Sequence, residues 1–176
     1  MIRRWLFALL VLAKVDSVSA EPSAYACVVE QSAGLHYDSK TTTWAPKAFK
    51  PGKEFVLRRL TEDDSKIAEY RTLLNRDPKA NWAFFDGKML LATCVENDFT
   101  FGSLLCRSGL ADANFDKDSR RFELVYRGAY TSQGYWQQLK RGDSKQYESL
   151  LASGRGGDAE RPDDLSIQIG KCSPDR

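Results

Sequence analysis

Hydrophobic and polar residues alternate with a period of two along much of the chain. The clearest case is the segment in which Phe122, Leu124, Tyr126 and Tyr130 alternate with the charged residues Arg121, Glu123 and Arg127. Such alternation is typical of a strand with one buried face and one solvent-exposed face. Apolar or alternating runs predict further extended segments at 27–38, 55–60, 82–85, 89–95, 99–106, 113–115 and 165–172.

Turn-forming residues separate these segments. The strongest hairpin signal is Asp86-Gly87, which lies between the segments 82–85 and 89–95 and suits a tight primed turn. The polar run 116–119 likewise predicts a turn, so that 113–115 pairs with the alternating strand that follows it. Antiparallel hairpins are therefore expected in this part of the chain.

Two short helices are predicted. Thr61-Glu62-Asp63-Asp64 offers a capping hydroxyl and first-turn acids, and apolar residues follow at helical spacing as far as Leu74. A sequence that resembles a capping box begins at Asp143, and Tyr147 and Leu150 then fall on one helical face. Residues 154–164 have almost nothing to bury, so a mobile loop is expected there.

Residues 1–20 have the three parts of a secretory signal, namely Arg3-Arg4, the apolar run Trp5–Ala13 and a small-x-small end at Ala20. Cleavage after Ala20 is expected, which leaves 21–176 as a single domain in the periplasm or outside the cell. The apolar run is about half as long as a bilayer-spanning helix. No membrane span is expected in the mature chain. Lipidation of Cys27 is an alternative that its distance from this run disfavours.

The signal segment also changes the charge of the protein. The chain has 26 Lys and Arg against 24 Asp and Glu, a net charge of +2, and residues 1–20 alone account for it. The mature part is formally neutral and lacks the basic excess that binding to phosphate backbones requires. A nucleic-acid partner is therefore not expected. The 42% hydrophobic content is too high for a disordered chain.

The mature part has four cysteines, Cys27, Cys94, Cys106 and Cys172. An even number of cysteines in an exported chain predicts disulfides, and no pair has the C-x-x-C spacing of a redox or zinc motif. We expect Cys94–Cys106 to join neighbouring strands and Cys27–Cys172 to join the two terminal strands. A catalytic thiol is the alternative.

These elements predict a mainly β fold, a small antiparallel barrel or sandwich of seven or eight strands with two short helices. The expected terminal disulfide favours the closed barrel, because closure places the first and last strands side by side. It also makes the fold disulfide-stapled.

Residues with catalytic chemistry are few. His36 is the only histidine, and no Gly-x-Ser-x-Gly motif accompanies it. The segment that starts at Asn114 does not match an EF-hand calcium loop. Its sixth and twelfth positions are Ser119 and Val125, where that loop needs Gly and Glu. No metal or other cofactor is expected. The carboxylate pair Asp163-Asp164 lies in polar surroundings, and a glycosidase with two facing carboxyls is the lowest-ranked hypothesis.

The aromatic residues are more informative, because they are numerous for a small fold. The structural interpretation is that they fill the core. The functional interpretation is that some of them line a cavity or an open barrel mouth, as in ligand-binding barrels. The residues predicted to do so are Trp44, Trp82, Phe84, Tyr126 and Tyr130.

Three stretches of the chain resemble a group of small exported proteins of rhizobia and related alphaproteobacteria: Cys27-Val28-Val29-Glu30-Gln31, the hairpin 115–130, and Ile167 to Ser173 with its Ile-Gly-Lys-Cys-Ser ending. The resemblance covers the strand ends of most of the mature chain. Its motifs are scaffold features, and it implies no activity and no functional residue. Lipocalin-like and lysozyme-inhibitor-like barrels share only the general plan.

The sequence thus favours a non-enzymatic exported β-barrel that binds a small apolar or amphipathic ligand. The alternative is a protein-interaction module, such as an inhibitor of a secreted or periplasmic hydrolase, which would present an exposed apolar patch or a protruding loop.

Overall fold

The computed structural model describes residues 21–97, 102–128, 130–131, 133–152 and 162–175. The predicted signal peptide, the start of the strand predicted at 99–106, and most of the predicted loop 154–164 lie outside these ranges. The described strands are β1 (Ala24–Asp38), β2 (Thr43–Ala48), β3 (Glu54–Arg59), β4 (Trp82–Asp86), β5 (Met89–Glu96), β6 (Ser103–Arg107), β7 (Ala111–Asp116), β8 (Arg121–Tyr126) and β9 (Leu165–Pro174).

Eight of these strands form a closed antiparallel barrel. The order is β1-β3-β4-β5-β6-β7-β8-β9, and β9 pairs with β1 to close the ring. β2 pairs with the second half of the long strand β1 and forms a hairpin with it. The fold is therefore mainly β, and of the two predicted architectures it is the barrel. The predicted hairpins β4–β5 and β7–β8 are also confirmed.

Both predicted disulfides are confirmed. Cys27 lies directly opposite Cys172 on β1 and β9, and Cys94 lies opposite Cys106 on β5 and β6. The bonds Cys27–Cys172 and Cys94–Cys106 leave no free cysteine in the chain. These bonds are compatible with an extracellular or otherwise oxidising compartment.

Aromatic side chains fill the middle of the barrel, because every second residue of each strand points inward. Phe84 lies at the centre of this core, with its ring centroid 6.4 Å from that of Phe55 and 5.8 Å from that of Phe122. Nearer one end, Tyr25 packs between Trp82 and Phe115. All five of these phenylalanine and tryptophan side chains are fully or almost fully buried.

The seam between β1 and β9 depends on a residue without a side chain. A Cβ atom on Gly170 would lie 2.0 Å from the backbone oxygen of Val28 and 2.7 Å from the ring of Phe122. The register of the two strands shifts between Val29 and Gln31 in the same region. Glycine therefore allows the first and last strands to approach closely where the barrel closes.

The first predicted helix begins later than the sequence indicated. Thr61 to Asp63 lie outside any helix, a 3₁₀ turn covers Asp64–Lys66, and α1 covers Ala68–Arg76. Asp64 is the acid in the first turn of the 3₁₀ segment, not of α1, and it is buried. Its carboxylate accepts two hydrogen bonds from the guanidinium of Arg58 on β3 and two more from Thr61.

Two more helices follow β8. The helix predicted from the capping sequence at Asp143 is confirmed as α3 (Ser144–Ala152), whereas α2 (Gln133–Gly142) was not predicted. The two helices pack together through the buried side chains Trp136 and Tyr147, whose ring centroids are 6.4 Å apart. Within the described ranges, no helix combines the length and the apolar character that a membrane span requires.

Candidate functional site

A cavity of about 250 Å³ lies at one end of the barrel, and we call it the mouth cavity. Its wall combines residues of β1, β3, β4, β5, β8 and β9 with residues of the β2–β3 connection and the segment before β9. The lining residues are Val29, Ser32, Phe49, Lys50, Lys53, Phe55, Asp86, Met89, Leu91, Leu124, Tyr126, Asp164, Ser166 and Gln168.

The inner surface of the mouth cavity is apolar. Val29, Phe55, Leu91 and Leu124 are at most 2% exposed and belong to the barrel core, while the partly buried Met89 packs against that core. These residues point inward because of the period of two along their strands. The cavity therefore ends on close-packed hydrocarbon and does not continue along the barrel axis.

Neutral polar groups form part of the cavity wall on β9. Ser166 and Gln168 share the inward face of β9 with Cys172, and the Gln168 amide Nε2 donates a hydrogen bond to Ser166 Oγ at 3.0 Å. Gln168 is a buried residue in an otherwise apolar wall. A buried amide that lines a cavity offers hydrogen bonds to whatever enters it.

Charged residues surround the cavity opening. Lys53 Nζ lies 2.8 Å from Asp86 Oδ2, and the Lys53 ammonium is also 5.0 Å from the ring centroid of Phe55. Lys53 is held in place by the backbone, since Val29 donates its N–H to the Lys53 carbonyl at 2.8 Å. Lys50, on the same connection, is exposed and lines the cavity.

The segment that leads into β9 is attached to the opening by two adjacent carboxylates, which we call the Asp163–Asp164 clasp. Asp163 is buried and accepts a hydrogen bond from the hydroxyl of Tyr126 at 2.7 Å. Asp164 Oδ1 lies 2.6 Å from Nδ1 of His36, and its Oδ2 lies 3.6 Å from Nζ of Lys47. The sequence did not predict these contacts, because it indicated only a polar, mobile stretch there.

The His36–Asp164 pair does not by itself make a hydrolase site. The contact with Asp164 Oδ1 engages Nδ1 of His36 and leaves the second ring nitrogen, Nε2, for other contacts. Nucleophilic catalysis needs a hydroxyl or thiol next to that second nitrogen. Among the described residues, no serine, threonine or cysteine forms a hydrogen bond with His36. The pair holds the clasp to the end of β1.

The five aromatic residues predicted to bind a ligand lie in three different places. Trp82 and Phe84 are fully buried in the barrel core and do not line the mouth cavity. Trp44 and Tyr130 pack edge to face outside the cavity, with ring centroids 5.5 Å apart, and Tyr130 is 54% exposed. Only Tyr126 lines the mouth cavity. Tyr130 lies beyond the end of β8, so the predicted alternation does not continue as far as Tyr130 in the sheet.

Most of the polar residues of the cavity were missed by the sequence-based prediction. One available signal was the alternation in β9, because Cys172 must point inward to reach Cys27 and the same parity places Gln168 and Ser166 inside. Lys50 and Lys53 come from a connection without periodic pattern, and no such signal exists for them.

The opposite end of the barrel is covered by an ionic cluster. Lys117 Nζ lies 2.7 Å from Glu21 and 2.8 Å from Glu96, and 5.9 Å from the ring centroid of the buried Trp82. The hydrogen bond from Lys117 holds the pKa of the Glu21 carboxyl below its ordinary value. Charged side chains therefore lie over the aromatic core at this end.

The described residues contain no group of three or more histidine, cysteine, aspartate or glutamate side chains placed to hold a metal ion. At the mouth cavity, Asp86 faces Lys53 and Asp164 faces His36 and Lys47. Apolar contacts, hydrogen bonds and charge are the interactions that these residues offer to a ligand.

Comparisons with protein-family profiles, with curated proteins and with solved structures found no match. The geometry and chemistry of the mouth cavity are therefore the basis for assigning a function.

Proposed function

We propose that this protein is a non-enzymatic binding protein that holds a small amphipathic ligand in the mouth cavity of its barrel. The observation that carries the proposal is one concave site with an apolar inner surface and a polar, charged opening. Small-molecule sites usually have this composition, in which apolar walls supply affinity and a few polar groups fix orientation.

The cavity volume limits the size of the ligand. A water molecule occupies about 30 Å³ in the liquid, so 250 Å³ corresponds to the volume of about eight waters. Cavities for drug-sized ligands are usually about 300–1,000 Å³. The ligand in this proposal is thus a molecule of roughly ten non-hydrogen atoms, or one end of a longer molecule.

Two properties of the chain support action outside the cytoplasm. Both disulfides persist most readily in an oxidising compartment, and residues 1–20 have the pattern of a secretory signal. We therefore propose export to the periplasm or the medium, with Glu21 as the first mature residue. Mass measurement of the mature N-terminus tests this, and a protein that starts at Met1 or carries an acylated Cys27 would contradict it.

Cavity filling provides the direct test of ligand binding. Ser166→Leu adds hydrocarbon to the wall of the mouth cavity, while Ser173→Leu makes the same change at an exposed position of β9 near the other end of the strand. Binding of 1-hexanol is monitored through the amide and methyl chemical shifts. The signals of Met89 and Leu124 should shift in the native protein and in Ser173→Leu. Ser166→Leu should weaken that binding about tenfold or more.

If 1-hexanol, hexanoate and hexylamine all leave the cavity residues unperturbed at millimolar concentrations, the proposed function is wrong. Perturbation that is equal in Ser166→Leu and Ser173→Leu would place the binding elsewhere and contradict it as well.

A second candidate function is protein inhibition, and the outer face of the seam favours it. Leu35, Ile167 and Ile169 are 40%, 55% and 47% exposed on the outside of β1 and β9, which makes an apolar patch on the surface. A panel of secreted proteases and glycosidases should then contain an enzyme that the native protein inhibits. Ile167→Lys combined with Ile169→Lys should abolish that inhibition, whereas Ser166→Leu should retain it.

A further inference from the structure

The charged residues at the mouth cavity differ in how far they are already paired, and this difference identifies a ligand class. Asp86 is paired with Lys53 at 2.8 Å. Asp164 has His36 at 2.6 Å and Lys47 at 3.6 Å. Lys50 lines the same cavity and forms no ion pair with any described residue. The cation at Lys50 is therefore the charge that a ligand meets without displacing a protein partner.

We propose that the ligand is a small amphipathic monoanion, most simply a carboxylate, whose charged group faces Lys50 and whose apolar part lies on the inner surface of the cavity. This inference rests on the proposed function and adds the sign of the ligand charge and the orientation of the ligand.

A cationic ligand is disfavoured by the same arrangement. To reach a carboxylate in the cavity wall, an ammonium group would compete with Lys53 for Asp86, or with His36 and Lys47 for Asp164. Removing one partner from a part-buried ion pair leaves the other charge without compensation. At Asp86 such an exchange would replace one ion pair by another and leave Lys53 without its partner, so a cationic ligand gains no net pairing there.

The apolar contacts require the anion to carry a short hydrocarbon part. Phe55 and Leu124 form the inner surface, and Met89, whose flexible side chain adapts to different shapes, lies beside them. Inorganic anions lack the group that would occupy this surface. A chain of about six carbons brings its carboxylate to the charged opening while the rest stays within a volume of about 250 Å³.

Polar groups on the wall are compatible with a carboxylate. The hydroxyls of Ser32 and Ser166 and the amide of Gln168 all line the cavity. Hydroxyl and amide groups donate hydrogen bonds to ionised oxygens, and such bonds are stronger than those between neutral groups. These groups add orientation to the charge contributed by Lys50.

Three probes of equal length separate the inference from the proposed function: hexanoate, 1-hexanol and hexylamine. Each is titrated into the disulfide-bonded mature protein at pH 7 and low salt, with chemical shifts of the cavity residues as the readout. Hexanoate should bind about two- to fivefold more tightly than 1-hexanol, the range expected for one partly exposed ion pair. Hexylamine should bind most weakly. Raising the ionic strength should reduce the preference for hexanoate, because salt screens exposed charges.

Lys50→Met is the decisive variant, because it keeps an unbranched apolar side chain and removes the charge. It should abolish the preference for hexanoate over 1-hexanol, and because both probes are compared in the same variant, a change in apolar contact at this position affects them equally. Lys79→Met is the matched control. Lys79 is also exposed, but it precedes β4, whereas Asp86 lies at the far end of that strand. The control should bind all three probes as the native protein does.

The outcomes are distinguishable. If 1-hexanol and hexanoate bind the cavity equally, or if Lys50→Met keeps the preference, the ligand is not selected by its negative charge and this inference is wrong, although the proposed function stands. Tightest binding of hexylamine overturns it in the same way. If no probe perturbs the cavity residues, the proposed function itself fails.

Discussion

Cys27 and Cys172 lie directly opposite each other on β1 and β9, the first and last strands of the chain, and their disulfide crosses the line along which the barrel closes. The two residues are 145 positions apart in sequence. A single covalent bond therefore links the ends of almost the whole described domain. The second disulfide, Cys94–Cys106, spans 12 positions within one pair of neighbouring strands.

The two disulfides should contribute unequally to stability. In the chain-entropy model, closing the long loop stabilises the protein by about 5 kcal/mol and closing the short loop by about 3 kcal/mol. We expect Cys27→Ala with Cys172→Ala to lower the free energy of unfolding about 2 kcal/mol more than Cys94→Ala with Cys106→Ala. Urea unfolding of both double variants measures this, and equal losses would contradict it. Alkylation of the unreduced native protein should label no cysteine.

Gly170→Ala should strongly destabilise the seam. The added Cβ would meet the backbone oxygen of Val28 at 2.0 Å, and backbone cannot move aside without disturbing the β1–β9 pairing. A loss of about 3 kcal/mol is expected, comparable with severe overpacking of a core. Thermal unfolding provides the measurement.

The control for this change is Gly134→Ala in α2, where a Cβ would meet nothing within 4 Å. Its stability should be unchanged or raised by up to about 1 kcal/mol, because alanine is the better helix former. Equal effects of the two alanine substitutions would show that the close approach at Gly170 does not matter.

The Asp163–Asp164 clasp can be tested through Gly128, which has a φ of +49°. A Cβ at this position would lie 2.2 Å from both carboxylate oxygens of Asp163. Gly128→Ala should therefore displace Asp163 from Tyr126, in addition to the backbone cost of about 1 kcal/mol for a side chain in this conformation. The loss of the hydrogen bond should add about 1 kcal/mol.

Gly87→Ala isolates the backbone contribution, since Gly87 has a φ of +58° and a Cβ there would have no neighbour within 4 Å. We expect Gly128→Ala to be the more destabilising of the two in the native background. When Asp163→Ala is already present, the two changes should cost the same. A difference that persists in that background would rule out the clash with Asp163.

The ionised carboxylate of Asp64 should stabilise the protein near neutral pH, and this stabilisation should be lost in acid. The hydrogen bonds from Arg58, reinforced by those from Thr61, hold the pKa of the Asp64 carboxyl far below its usual value. A depressed pKa contributes stability that is complete above the unfolded-state value, near 4, and is lost as the pH falls below it. Asp64→Asn should therefore lower the free energy of unfolding by about 2 to 4 kcal/mol at pH 7.

The difference between the native protein and Asp64→Asn should shrink steadily as the pH is lowered below 4, which denaturant unfolding at several pH values measures. Asp63→Asn is the matched control, because Asp63 is highly exposed and pairs only with Lys66 on the surface. It should have a small effect that varies little with pH. A gap between Asp64→Asn and the native protein that stays constant down to pH 2 would contradict the assignment.

Much of the barrel could be predicted from local signals. Asp86-Gly87 predicted the β4–β5 turn, because a tight primed turn needs residues that accept positive φ, and Gly87 has φ of +58°. The alternation from Phe122 predicted an inward face on β8. The first helix was misplaced for a non-local reason, since Arg58 on a neighbouring strand binds the carboxylate that would otherwise have started the helix.

The candidate site was harder to predict. Of five aromatic residues chosen for their type, Tyr126 alone lines the cavity, while Trp82 and Phe84 are used to fill the core. Residue type indicates that an aromatic side chain prefers burial, but the depth along the barrel axis determines whether it meets other side chains or an opening. Lys50 and Lys53 lie in an irregular connection, and their place at the opening depends on backbone contacts to β1.

The sequence was enough to determine a disulfide-bonded antiparallel β fold. Period-two alternation and turn residues act through neighbours in sequence, and an even number of cysteines allows all of them to pair in disulfides. The position of the mouth cavity, the charge of Lys50, which pairs with no described residue, and the clasp of Asp163 on Tyr126 were decided only by the tertiary structure. They arise where a curved sheet closes on itself and brings β1, β8 and β9 together, and distances across such a closure do not depend on any local pattern.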